Sequence, residues 1–306
     1  MKILVTGGAG FIASNLVDAL IEKGHDVVIV DDLSSGKKEN LNPKAKFYEI
    51  DIRDKKLEDV FRKEKPEIVS HHAAQIAVRV SLKDPEFDAS VNIMGFLNLM
   101  QNCVKYGVKK IINVSSGGVV YKQGAKLPIP ETEHVGPISP YGVAKLAAEH
   151  YLNYYSEVFG IKYTSMRYSN VYGIRQDPHG EAGVVAIFTD SLSTGEEVTI
   201  FGDGKQTRDF VFVKDVVSAN LLAMEHGDNE AINIATNTQT SINELFRVIA
   251  KITDYKKKAN YADAKPGEVL HSRLDISKAK KILKWQPKYS LEEGLRETIE
   301  WAKSRN

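Results

Sequence analysis

The stretch Ser139-Pro140-Tyr141-Gly142-Val143-Ala144-Lys145 holds two side chains able to do proton chemistry together. Ser139 suits a helix N-cap and Pro140 the first helical position, where a missing N–H is no loss. At about 100° per residue, Tyr141 and Lys145 then share a helix face one turn apart, which sets an ammonium beside a phenol. A free tyrosine titrates near 10, so an ionised phenol near neutrality needs a shift of about 3 units, roughly 4 kcal/mol. One ammonium at about 5 Å contributes about 3 kcal/mol at an effective dielectric of about 20, and a cationic cofactor ring would supply the remainder. By itself the pair also fits an ordinary helix with a buried tyrosine and a solvated lysine. The elements that would position a cofactor decide between the two.

Ile3-Leu4-Val5 fits a buried parallel strand, and it runs directly into Thr6-Gly7-Gly8-Ala9-Gly10-Phe11-Ile12-Ala13 and an apolar helical pattern ending at Gly24. Strand, glycine turn and helix in that order are the context a dinucleotide fingerprint requires. Gly7 permits the tight turn, Gly10 lets the backbone approach a pyrophosphate, and Ala13 keeps helix and strand close. Phe11 and Ile12, which open the helix, join the glycines as cofactor-binding candidates. The second strand, Val27–Val30, ends in Asp31-Asp32, about 20 positions past the turn, where a carboxylate accepts from ribose hydroxyls and favours NAD over NADP. A third strand at 47–50 leads to Asp51 and Ile52, candidates for the adenine end. A fourth, Ile68-Val69-Ser70, leads through His71-His72 to Ala73 and Ala74, small residues past which a cofactor could run. Neighbouring histidines in a strand point to opposite faces and no third ligand is evident, so no metal is expected. A long helix is expected over 84–106, and a strand over 109–114 delivers Ser115-Ser116-Gly117-Gly118.

The chain has 306 residues, 42% of them hydrophobic, enough for a large core and about two domains. A formal net charge of +1 offers no electrostatic footprint for nucleic acid or an anionic membrane. The single cysteine, Cys103, rules out a disulfide within the chain. With no apolar run approaching the roughly 18 residues of a membrane span, the expectation is a soluble, cytoplasmic protein.

Gly7 to Ala13, Asp31, Ser115-Ser116, Val120-Tyr121 and Tyr141 with Lys145 together resemble the extended short-chain dehydrogenase/reductase family. Asp32-Leu33-Ser34-Ser35-Gly36, Arg167-Tyr168-Ser169-Asn170-Val171-Tyr172-Gly173 and Phe201-Gly202-Asp203-Gly204 resemble its UDP-glucose (UDP-galactose) 4-epimerase branch. The resemblance covers essentially the whole chain. It implies an α/β fold: a doubly wound parallel sheet (Rossmann) over residues 1–169, with a return segment near 209–236, and a smaller α/β substrate lobe mainly over 170–306. It implies NAD as cofactor, a UDP-sugar as substrate and a homodimer formed by the helices near 84–106 and 139–159.

The resemblance also implies roles for individual residues. Ser116 would polarise the sugar's 4-oxygen, Tyr141 would move its proton, Lys145 would lower the Tyr141 pKa and hold the nicotinamide ribose, and Ser115 would sit beside the cofactor. Asn170, Arg208, Lys265 and Glu268 would hold the diphosphate region, a task for which a guanidinium fork is suited. Lys265-Pro266-Gly267-Glu268 departs from the family's usual Arg and Asp at both charged positions. Ser272 stands where the family gates the sugar pocket, and its small side chain implies room for an N-acetyl group. In related dehydratases an Asp-Glu pair follows the catalytic hydroxyl; Gly117-Gly118 here cannot transfer protons, which disfavours dehydration. Asp215 is expected to cap a helix over 216–224, helices are expected at 277–283 and 291–303, and Trp285 is expected to pack. Two other readings stay open: a uronic 4-epimerase or a reductase on the same scaffold, and a non-catalytic NAD-sensing regulator.

Overall fold

The computed structural model describes residues 1–179, 183–264 and 269–304. Its first half alternates β1 (Lys2–Thr6), α1 (Phe11–Glu22), β2 (Asp26–Asp31), β3 (Lys46–Glu49), α2 (Leu57–Glu64) and β4 (Ile68–His71). Then come α3 (Val78–Lys83), α4 (Pro85–Ala89), a π-helical turn (Ser90–Gly95), α5 (Phe96–Lys105), β5 (Lys110–Ser116), α6 (Pro140–Phe159) and β6 (Lys162–Tyr168). Shorter pieces follow: β7 (Asn170–Tyr172), α7 (Val184–Thr194), β8 (Thr199–Phe201), β9 (Thr207–Arg208), β10 (Phe210–Phe212) and α8 (Val213–Ala223). The last are β11 (Glu230–Ile234), β12 (Thr240–Ser241), α9 (Ile242–Thr253), β13 (Asn260–Ala262) and α10 (Leu291–Lys303).

Seven strands form one parallel sheet in the order β11-β6-β5-β4-β1-β2-β3. Because the strands are apolar on both faces, each face is covered. Ile3, Val5, Val27 and Ile29 pack with α1 and α8, while Leu4, Val28 and Val30 pack on the other face with α2, α5 and α6. A third core gathers α7, α9 and α10 around β8 and β10. The strand order reverses between β1 and β4, where Thr6 pairs with His71, and a crevice opens at such a point in a doubly wound sheet.

Three expected elements differ in detail. The helix over 84–106 forms without interruption from Pro85 to Lys105, through α4, the π-helical turn and α5. The widened turn seats Gly95 against Ile52, where any β-carbon would lie 2.8 Å from Ile52 Cδ1. Asp215 lies inside α8 and does not cap it; its carboxylate accepts from the amides of Lys288 (2.8 Å) and Tyr289 (3.2 Å), tying down the segment before α10. The helix at 277–283 forms over those residues, with π-helical geometry from Ala279 to Leu283. Trp285 packs as expected, its indole N–H donating to Asp215 O and Ser218 Oγ. Among the described residues no helix is long and apolar enough to cross a membrane.

Candidate active site

The glycine turn closes directly on the end of β4. Gly7 has φ +69°, and a β-carbon there would lie 2.7 Å from Ala73 N, so both the backbone and the space demand glycine. Thr6 Oγ1 accepts from the amides of His72 and Ala73 (3.2 Å each) and bonds His71 Nδ1 (2.8 Å), which fixes that approach. Gly10 is the N-cap of α1 and no side chain satisfies the first amides of the helix, leaving Phe11 and Ile12 at an anion-receptive end. Asp31 accepts from Ala9 N (2.9 Å) and Leu33 N (2.8 Å), with Gly36 close against it, so its carboxylate faces the glycine turn. Burial pushes that carboxyl up and the two amides pull it back. Asp32 is exposed and accepts from Ser34 N and Oγ. These features fit a dinucleotide: a backbone cradle, an uncapped helix end and a carboxylate at the second strand's tip.

At the adenine end the fit is looser. Asp51 is held below the usual carboxylate range by Arg53, whose Nε donates to both its oxygens (3.0 and 2.9 Å). Ile52 is a core side chain, and its carbonyl accepts from Asn98 Nδ2. His71 and His72 are held at about 3 by burial first and the Lys145 charge next, so both are neutral imidazoles. Among the described residues no group of three or more potential metal ligands exists.

The N-terminus of α6 forms as its sequence requires. Ser139 Oγ accepts from Gly142 N (3.2 Å), and the helix runs to Gly160 at φ 71°. A β-carbon on Gly142 would lie 2.8 Å from Val119 O, so the first turn sits hard against the segment after β5. Lys145 is 6% exposed; its ammonium donates to Val114 O (2.9 Å) on β5 and lies 5.6 Å from the Tyr141 ring centroid. The expected lowering of the Tyr141 pKa is not what this arrangement gives. Burial first, and the Asp88 carboxylate second, push the phenol above its ordinary value, while burial pulls Lys145 down to about 8. Lys145 is buried and Tyr141 partly so, and desolvation of a phenolate raises its pKa.

Successive residues of β5 face opposite ways, and this separates the two serines. Ser115 Oγ donates to Glu149 Oε1 (2.6 Å), inside a buried cluster where Arg167 bonds Glu149 (3.0 and 2.6 Å) and Tyr121 (2.9 Å). The Ser115 hydroxyl proton is therefore committed to Glu149. Ser116 is half-buried, and its hydroxyl has no partner among the described residues. Next to it Gly117 donates to Tyr168 O (2.8 Å), and any β-carbon there would overlap Leu274 Cδ1.

Leu274 belongs to the segment that brings the other candidates to this strand end. Thr207 N bonds Leu270 O and Ser272 N bonds Thr207 O (3.2 Å), so Ser272 lies beside the strand carrying Arg208. Ser272 is 9% exposed. Arg208 Nη1 donates to Thr207 O (2.9 Å), and Asn170 begins β7 with an exposed side chain. Lys265 and Glu268 lie outside the described residues. The sequence reading passed over Asp88, Asn92 and Gln75, a polar cluster beside α6. The four-residue spacing of Asp88 and Asn92 in a helical pattern would have put them on one face.

The model of the NAD dependent epimerase/dehydratase family matches residues 3–235. The chain is similar to a solved UDP-glucose 4-epimerase of Thermotoga maritima with UDP-glucose: 54% identity, TM-score 0.98, covering 100% of this chain and 99% of that one. It is 43% identical over 312 residues to the UDP-glucose 4-epimerase of Mycolicibacterium smegmatis, with 100% of each covered. A UDP-N-acetylglucosamine 4-epimerase of Methanobrevibacter ruminantium, solved with UDP-N-acetylmuramic acid, matches at 38% identity and TM-score 0.95, covering 100% of this chain and 99% of that one.

Proposed function

The chain belongs to the NAD dependent epimerase/dehydratase family, and from that we propose that it is a 4-epimerase of UDP-hexoses, interconverting UDP-glucose and UDP-galactose. The observation that carries the reading is the seating of Lys145 on Val114 O, which anchors the Tyr141 turn of α6 against the strand end bearing Ser116. Gly7, Gly10, the first amides of α1, Asp31 and the Ala73-Ala74 turn would hold NAD. When bound, NAD would supply a hydride acceptor and donor for the sugar's C4 and a cationic ring in the cleft. Tyr141 takes the proton of the 4-hydroxyl and gives it back; Ser116 donates to the 4-oxygen and orients it. Because burial holds the Tyr141 phenol protonated in the free chain, its ionisation depends on positive charge nearby, of which Lys145 is the resident share.

Arg208 and Asn170 hold the diphosphate, and residues 1–169 with the return segment near 209–236 form the cofactor-binding unit. The working form is a cytoplasmic homodimer. Val143, Tyr151, Tyr154 and Val158 recur on one face of α6 and are exposed, beside exposed Phe87 and Met94, which supports that pairing. Ser272 favours a second, wider reading in which N-acetylhexosamine forms also enter, since the side chain at that position is small.

Purified protein given UDP-galactose without added NAD tests the proposal. Formation of UDP-glucose with no accumulation of NADH is expected. Net NADH would mean a dehydrogenase, and NAD retained without turnover would mean a regulator. Tyr141→Phe should lose about 10³-fold in kcat while retaining NAD, and UDP-N-acetylglucosamine in the same assay tests the Ser272 reading.

A further inference from the structure

Asp88 is 1% exposed, on a short helix packed against the first turns of α6, and it shares a cavity wall with Ser139, Pro140, Val143 and Ala144. One of its oxygens is well served: Oδ1 accepts from Gln75 Nε2 (2.7 Å) and Asn92 Nδ2 (3.0 Å). Asn92 in turn accepts from Gln75 N and donates to Gln75 O (2.9 Å each), and Gln75 Nε2 reaches Ala77 O (3.1 Å). The other oxygen, Oδ2, is buried with no hydrogen-bond partner among the described residues. An unsatisfied buried carboxylate oxygen is a liability that an apolar residue would avoid, so stability does not explain an acid here. Across the helix contact are the first turns of α6, which carry Tyr141 and Lys145.

From this arrangement we infer that Asp88 is a positioning residue: its carboxylate keeps the Lys145 ammonium charged beside Tyr141 and, through Gln75 and Asn92, fixes the Ala73–Ala77 turn. The inference deepens the proposed function and rests on it for the kinetic consequence. Asp88 raises Lys145 against burial and Lys145 lowers Asp88, while the same carboxylate also opposes ionisation of Tyr141. The other charges around the cluster do not compete. His71 and His72, at the end of β4, are neutral. Arg53 is paired with Asp51, and the side chains of Arg79, Lys83 and Glu86 are on the exposed side. The π-helical turn carries no charged residue.

Asp88→Asn separates the two duties, because an amide oxygen can still accept from Gln75 and Asn92 while the charge is gone. The test follows the Lys145 side chain by ¹³C NMR between pH 6 and 11 in the full-length protein saturated with NAD, with Lys145→Met providing the assignment. In Asp88→Asn the Lys145 midpoint should fall by about 1 pH unit. With UDP-galactose, the alkaline limb of kcat should move down in step, with KM within about twofold. A purely structural role would leave the midpoint and the limb where they are, and that result overturns the inference. The reciprocal measurement needs no change at Asp88. By linkage its own carboxyl must titrate higher in Lys145→Met, and an unmoved Asp88 would equally overturn it, whether or not Asp88→Asn folds. Both titrations are independent of turnover, so a chain that failed to epimerise would count against the proposed function alone.

Discussion

Lys145 is a buried cation that the fold keeps despite its cost. Its folded value of about 8 lies below the ordinary 10.5, so between those values the unfolded chain binds the extra proton and stability rises with pH. Below pH 8 the whole burial cost is present, about 3 kcal/mol at pH 7. Lys145→Met should therefore raise the unfolding free energy at pH 7 by about 2 kcal/mol, allowing about 1 kcal/mol for the lost bond to Val114 O. The gain should shrink toward pH 10, and epimerisation should be lost. Urea unfolding at the two pH values checks the first part. A variant no more stable than wild type would mean that the ammonium is better solvated than its 6% exposure indicates. This pairing of gain and loss is the usual trade at a site where function needs a buried charge.

Helix α6 is held at three heights: by the Ser139 cap, by Lys145 on Val114 O, and by Glu149 in its cluster with Ser115 and Arg167. Glu149→Gln leaves the Arg167 guanidinium buried without its counter-charge and should cost about 3 kcal/mol, read as a lower urea midpoint. Much at this scale was legible in the sequence. Short apolar runs followed by glycine or small residues announced β1, β2, β4 and β5, and Ser-Pro before a periodic stretch announced α6 within a residue of its start. What escaped depends on distance along the chain or on a subtle change of period. Ser115, Glu149 and Arg167 meet only because β5, α6 and β6 are adjacent in space. A π-helical turn shifts the phase of a helix without ending it, and nothing in residues 84–106 marked where that happens. The Tyr141–Lys145 spacing was readable, but the sign of the phenol's shift was not, since it depends on burial and on Asp88.

Across the whole molecule, an apolar stripe on α6 lies beside exposed residues of the α4 to α5 stretch, Val158 being 58% exposed and Met94 61%. A homodimer through this stripe predicts that Tyr154→Glu with Val158→Glu sediments as a monomer, whereas wild type sediments as a dimer; a wild-type monomer would refute the pairing. The same helix carries Tyr141 and Lys145 on its first turns, so the variant's kcat will report how far assembly supports the site. The sheet also sets a rule for recombining this chain with its relatives. One of its two edge strands, β11, is spelled at 230–234, after β7 to β10 and α8 have been laid down, and it pairs with β6. A chimaera spliced at residue 169 would inherit Ser116, Tyr141 and Lys145 from one parent and the strand flanking β6 from the other. Exchanges of sugar preference are therefore best made as grafts into the intervening loops, with both ends of the chain left to one parent.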